Sequence, residues 1–166
     1  MRTFKIVIAG DGRVGKTSLV HRYVAGTFNR SYSVTIGADF ASREVDMGNE
    51  TIRLVLWDLA GQRRFQIVRD GFYRGARVVL LVFDITNRQS WEDVLLWEQE
   101  VTQRVPTAQI VIVGNKADLE QGRVVAYTAA HRWARQRRYG YVETSCVTGA
   151  GVDDLFVGVA HLVASL

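Results

Sequence analysis

The feature that most constrains this chain is nine residues long. The stretch "GDGRVGKTS", Gly10 to Ser18, follows the apolar run "FKIVIAG" and precedes "KTSLVHRYV", which reads as a helix. Three glycines and a lysine are thus concentrated where a strand ends. The spacing G-x-x-x-x-G-K-[ST] is met by Gly10, Gly15, Lys16 and Thr17. Glycine alone also serves tight turns. The complete pattern between a strand and a helix does more: it lets successive backbone N–H groups face an anion, beside the partly positive start of a helix. Lys16 is then expected to reach outer phosphates, with the Thr17 hydroxyl on Mg²⁺.

Such a loop belongs in an α/β sheet, and the rest of the chain agrees. Strand-like apolar runs alternate with helical patterns from end to end, the signature of a mostly parallel sheet covered by helices. "FKIVIAG", "VVLLVFDIT" and "QIVIVGNK" are continuous apolar runs, which predicts strands buried on both faces. "DFASREVD" and "TIRLVLWD", joined by "MGNE", read as a hairpin that supplies one antiparallel edge strand. "SWEDVLLWEQEV" reads as a helix capped at Ser90 with Asp93 three residues on, its apolar side led by Trp91, Val94, Leu95 and Leu96. The last segment places Val152, Leu155, Phe156, Val159, Leu162 and Val163 at helical spacing.

The 166 residues fit one domain, residues 1–166, and neither a repeat nor a linker suggests a boundary. No apolar run has the roughly 18 to 20 residues that cross a bilayer, and the N-terminus lacks a signal-peptide layout; a cytoplasmic protein is expected. The single cysteine, Cys146, forms neither an internal disulfide nor a zinc cluster and reads as a small buried residue. The charge of +4 is spread over scattered residues, with pairs at Arg63 and Arg64 and at Arg137 and Arg138. Without a basic stripe interleaved with aromatics, nucleic acid is not an expected partner. Only Lys5, Lys16 and Lys116 are lysine among 21 basic residues, and two of those three fall in motifs. His21, His131 and His161 lie on expected helices away from the motifs.

The second motif, "NKADL", gives Asn115, Lys116 and Asp118 directly after an expected parallel strand, at the sheet end where open α/β folds hold ligands. A carboxylate at Asp118 can accept from guanine's ring N–H and exocyclic amine, donors that adenine does not offer. A buried acceptor left unpaired costs roughly 1–3 kcal/mol, so such a group discriminates.

With these residues in view, the chain resembles the Ras superfamily of small GTPases, most closely its Rab branch, over essentially its whole length. The likeness rests on "GDGRVGKTS", "TIGADF", "WDLAGQRRF", "FYRGA", "LVFDIT", "NKADL" and "ETSCVTGAGV", in that order. It implies a three-layer G domain: a six-stranded, mostly parallel sheet with one antiparallel edge strand and helices on both faces. The implied activity is slow GTP hydrolysis coupled to a switch between GTP and GDP states, used in vesicle trafficking.

Residue by residue, the resemblance implies a nucleotide site of Gly12, Arg13, Val14, Gly15, Lys16, Thr17 and Ser18 around the phosphates. Phe28 is expected against the guanine edge and Tyr32 over the phosphates. Thr35 is implied to hold Mg²⁺ and the γ-phosphate, and Asp58 to act on the metal beside Thr17. Gly61 would bond the γ-phosphate, and Gln62 would orient the attacking water, with Lys16 and Thr35 completing the catalytic set. Asn115, Lys116 and Asp118, with Ser145, Cys146 and Val147, would read the base. Two loops, residues 30–38 and 60–72, would change on loss of the γ-phosphate. Effectors, GTPase-activating proteins and exchange factors are expected at the Thr35–Phe40 and Gly61–Phe72 regions. Phe40, Trp57 and Phe72 match a Rab-type aromatic triad, either an effector surface or core. A monomer is expected, with membrane contact only through a lipidated tail that this chain does not contain.

Three positions depart from the family pattern. Arg13 replaces a smaller residue and would face either phosphate or solvent. Arg63 follows Gln62 where Glu is common, reversing a charge used in nucleotide exchange. Val147 replaces a lysine whose stem covers the base, which predicts faster nucleotide release.

Overall fold

The computed structural model describes residues 1–26, 38–61 and 71–166. Phe28, Tyr32, Thr35, Gln62 and Arg63, and most of the two expected switch loops, lie outside the described residues. The strands are β1 (Arg2–Ala9), β2 (Ala38–Asp46), β3 (Thr51–Leu59), β4 (Ala76–Asp84), β5 (Gln109–Asn115) and β6 (Gly140–Glu143). They form one sheet in the order β2-β3-β1-β4-β5-β6. Only β2 runs antiparallel, pairing Phe40 with Trp57 and Asp46 with Thr51 across the expected hairpin. Gly48 turns that hairpin at φ 85°, and its N–H donates to Asp46 Oδ1. Six strands with a single antiparallel edge agree with the expected G-domain sheet.

The helices are α1 (Lys16–Ala25), α2 (Arg88–Glu92), α3 (Val94–Arg104), α4 (Tyr127–Gln136) and α5 (Val152–Ala164). They divide between the two sheet faces because successive strand residues point to opposite sides. Ile6 and Ile8 of β1 face a core with Leu19 and Tyr23 of α1 and Phe156 and Val159 of α5, where Tyr23 stacks on Phe156 at 3.9 Å. Val7 and Ala9, their immediate neighbours, face a second core with Val94, Trp97 and Val101 of α3 and Ala130 and Ala134 of α4. The continuous apolar runs are thus explained by cover on both sides. Among the described residues, no helix is long and apolar enough to cross a membrane.

One expected helix start is displaced. Ser90 is not a cap. Asn87 caps α2, its Oδ1 accepting from Ser90 N at 3.1 Å, while the buried Ser90 hydroxyl accepts from Asp84 N at 3.0 Å. The chain then breaks at Asp93, which ends α2 and begins α3. The buried side runs through Ser90, Val94, Trp97 and Val101, whereas Leu95 and Leu96 are 44% and 50% exposed. In α5 the expected positions are buried apart from the partly exposed Leu162, with Ala160 taking its place.

Candidate functional site

Register brings the motif-bearing strand ends to one edge of the sheet. Ile8 of β1 pairs with Asp58 of β3, and Asp84 of β4 pairs with Asn115 of β5. The loop after β1 crosses this edge in a conformation ordinary residues resist. Gly10 has φ 143°, and a Cβ there would lie 2.2 Å from the Val82 carbonyl oxygen of β4. Gly15 has φ 100°, and a Cβ there would lie 2.3 Å from Asn115 Nδ2. These two glycines are therefore required by close approach as well as by backbone angle. Val14 between them is 1% exposed, so its side chain anchors the loop in the core and its main chain faces the site.

Helix α1 opens at Lys16 with no acidic residue of its own in its first turn; α5, by contrast, opens with Asp153 and Asp154. Lys16 is buried, and its ammonium donates to the Asp11 carbonyl at 2.6 Å. The Thr17 hydroxyl donates to Asp58 Oδ2, a carboxylate only 2% exposed. A hydroxyl and a carboxylate side by side are hard oxygen donors, the set that suits Mg²⁺. Gly61, at the exit of β3, lies against the loop. A Cβ there would come within 2.5 Å of Asp11 C and Gly12 N.

The second motif comes to the first. Asn115 Nδ2 donates to the Val14 carbonyl at 2.9 Å, and Lys116 Nζ donates to the Arg13 carbonyl at 2.8 Å. Lys116, itself at φ 65°, also pairs with Asp84 at 3.0 Å. Sequence reasoning assigned Asn115 and Lys116 to base reading only; their bonds to the glycine-rich loop and the part of Asp84 were missed. The "D" of "LVFDIT" was the available signal. Arg13 has φ 66°, the left-handed region, and its side chain is exposed.

The loop after β6 completes the edge. Thr144 Oγ1 donates to Asn115 Oδ1 at 3.0 Å, and the Cys146 thiol donates to the same oxygen at 3.6 Å. Burial pushes the Cys146 thiol up to about 11, so it stays protonated and inert at neutral pH. Ser145 Oγ donates to Asp118 Oδ1 at 2.8 Å, orienting that exposed carboxylate. Val147 is 45% exposed beside it. From behind, Arg123 holds Glu143 at the end of β6 by two bonds of 2.9 and 2.6 Å.

A further contact was not legible. Trp97 Nε1 donates to Asp11 Oδ1 at 2.8 Å. Burial first, and then the neighbouring Asp93 carboxyl, hold the Asp11 carboxyl well above the ordinary carboxylate range, at about 7, against the opposing pull of the Trp97 N–H. At the opposite end of the edge, Phe40 is 55% exposed and meets Trp57 edge-on at 4.4 Å, and Trp57 meets Phe72 at 5.6 Å. Lys5 Nζ sits 3.5 Å over the Trp57 ring.

Comparison with known proteins accounts for this assembly. The family model described as "Ras family" matches residues 5–165. The chain is 40% identical to Ras-related protein Rab-4 of Dictyostelium discoideum over 154 residues, 92% of this chain and 75% of that protein. It is 36% identical to Ras-related protein Rab-4B of Homo sapiens over 161 residues, 96% of this chain and 76% of that protein. It is 35% identical to GTP-binding protein YPT1 of Saccharomyces cerevisiae over 162 residues, 96% of this chain and 78% of that protein. Strand order, a glycine-rich loop braced by the Asn115-Lys116 pair and near full-length matches together place the chain in the Ras family of small GTPases, among its Rab-like members.

Proposed function

We propose that the chain is a single-domain, monomeric guanine-nucleotide switch that binds GTP and GDP, hydrolyses GTP slowly and acts in membrane trafficking through switch-dependent partners. One observation supports it most: two motifs about a hundred residues apart are tied into a single site by Asn115 to Val14 and Lys116 to Arg13. In this reading the amides of residues 12–18 cradle the phosphates, and the buried Lys16 places its charge against them. Asp118, oriented by Ser145, accepts from guanine, and the main chain at Ser145 and Cys146 meets its carbonyl oxygen. Val147 leaves the base less covered than a lysine stem does.

Thr17 and Asp58, with Thr35, would hold Mg²⁺, which when bound offsets phosphate charge. The pairing of Thr17 with the buried Asp58 supports that donor set. Thr35 and Gly61 sense the terminal phosphate, and Gln62 orients the attacking water, since phosphoryl transfer needs positioning and charge stabilisation more than covalent chemistry. Phe28 and Tyr32 close over base and phosphates. The contiguous Phe40, Trp57 and Phe72 rings support a partner surface beside the Thr35–Phe40 and Gly61–Phe72 regions, where effectors, activating proteins and exchange factors would meet the chain.

Two measurements test this. Thermal unfolding with Mg²⁺ and either GDP or ADP should show stabilisation by GDP alone; a preference for ADP overturns the assignment of Asp118. Single-turnover GTP hydrolysis should run on the order of 10⁻⁴ to 10⁻³ per second and fall further in Gln62→Leu. Equal rates in the two proteins would identify a GTP-holding scaffold instead.

A further inference from the structure

The peptide between Asp11 and Gly12 is where three separate elements converge. Lys16 of α1 donates to the Asp11 carbonyl at 2.6 Å. The backbone of Gly61, leaving β3, lies so close that a Cβ would fall within 2.5 Å of Asp11 C and Gly12 N. The third element is α3, whose Trp97 donates its indole N–H to Asp11 Oδ1 at 2.8 Å. Gly12 follows and offers no side chain to restrict rotation of that peptide. The Asp11 side chain is therefore the handle by which the peptide is held, and Trp97, 7% exposed, is anchored in the core with Val94 and Val101.

We propose that Trp97 is a positioning residue for the bound nucleotide: through Asp11 it fixes the carbonyl that holds Lys16, and so couples helix α3 to the phosphate loop. The inference rests on the guanine-nucleotide reading above and goes beyond it, since no motif contains Trp97. A hydrogen bond to a side-chain oxygen in a partly buried setting is costly to leave unmade, and its loss leaves the peptide to sample orientations in which Lys16 is misplaced. Trp97 would need none of this if it served only to pack α3.

The test is release of a fluorescent GDP analogue into excess GDP with Mg²⁺ present, together with thermal unfolding of each protein. Trp97→Phe keeps a large aromatic ring and removes the donor; release should accelerate roughly tenfold. Asp11→Ala should match it. The double variant should be no more than about twofold faster than either single one, because both remove the same bond. Asp11→Asn keeps an acceptor oxygen and should release the analogue at least about threefold more slowly than Asp11→Ala. Should Trp97→Phe fail to fold, the Asn and Ala variants at position 11 carry the test with Trp97 intact.

Unchanged release in a folded Trp97→Phe, multiplicative effects in the double variant, or equal release by Asp11→Asn and Asp11→Ala would each overturn the coupling while leaving the nucleotide assignment standing. A wild-type protein that retains no analogue overturns both.

Discussion

The loop that would cradle phosphate and the loop that would read the base sit at the same sheet edge, yet they differ in how much of their bracing is local. Residues 10–15 contain three backbone angles in the region φ 66° to 143°, at Gly10, Arg13 and Gly15. Their bracing comes from outside: Asn115, Lys116 and Trp97, each more than eighty residues distant. Residues 145–150 add bonds of their own. Gly149 N donates to Ser145 O at 2.8 Å, Ser145 N to Ala150 O at 2.9 Å, and Thr148 N to Ser145 Oγ at 3.1 Å. The first loop is thus held mainly from outside, whereas the second adds a local turn over residues 145–150 to its ties to Asn115 and Asp118. Damage to the first should spread across the site, whereas damage to the second should stay where it is made.

The sharpest way to break that contrast is a matched pair of glycine substitutions. Gly15→Ala adds a Cβ 2.3 Å from Asn115 Nδ2 and must displace the bond to Val14, while Gly149→Ala meets only the mobile end of Arg22 at 2.4 Å. Both carry left-handed strain of about 1–2 kcal/mol. Gly15→Ala should lose roughly 1–3 kcal/mol more for the buried amide left unpaired. Chemical denaturation of the two variants reads the difference, and equal losses would contradict the contrast.

Ser145→Ala should act locally and cost about 1 kcal/mol, since it removes the bond to Asp118 and the one from Thr148 N. GDP binding should weaken by about the same amount, read by titrating GDP into each protein in the presence of Mg²⁺. Arg13→Gly should have the reverse sign. A non-glycine residue at φ 66° is strained, so glycine should stabilise the protein by about 1 kcal/mol, read as a higher midpoint in urea.

A further test concerns pH. Native Asp11 holds its proton to about 7, whereas the unfolded chain releases it near 3.8. Its contribution to stability is therefore greatest below pH 4 and is lost as pH rises toward 7. Asp11→Asn does not titrate, so its thermal midpoint relative to wild type should improve between pH 5 and pH 8. A constant difference would show that burial and Asp93 do not act on that carboxyl.

How much of this was legible beforehand depends on how local the cause is. The hairpin at Met47 to Glu50, the parallel strands and the start of α1 follow from patterns within ten residues, and they stand where the pattern put them. Ser90 misled because it has a capping residue's chemistry, but Asn87 lies three residues earlier and the buried Asp84 N takes the serine's oxygen. Leu95 and Leu96 misled because the buried stripe runs through Ser90, Val94, Trp97 and Val101 at helical spacing, and a stripe that begins with a serine is not marked by apolar character alone.

What the sequence determined by itself was the kind of fold and the place of its two motifs at the ends of strands, because strand period, helix period and glycine's freedom all act over a few bonds. Tertiary structure alone decided that Lys116 would hold the Arg13 carbonyl, that Asp84 would partner Lys116, and that Trp97 would reach Asp11. Those pairs arise from strand register and helix packing. Each joins residues whose neighbours in the chain carry no mark of the other.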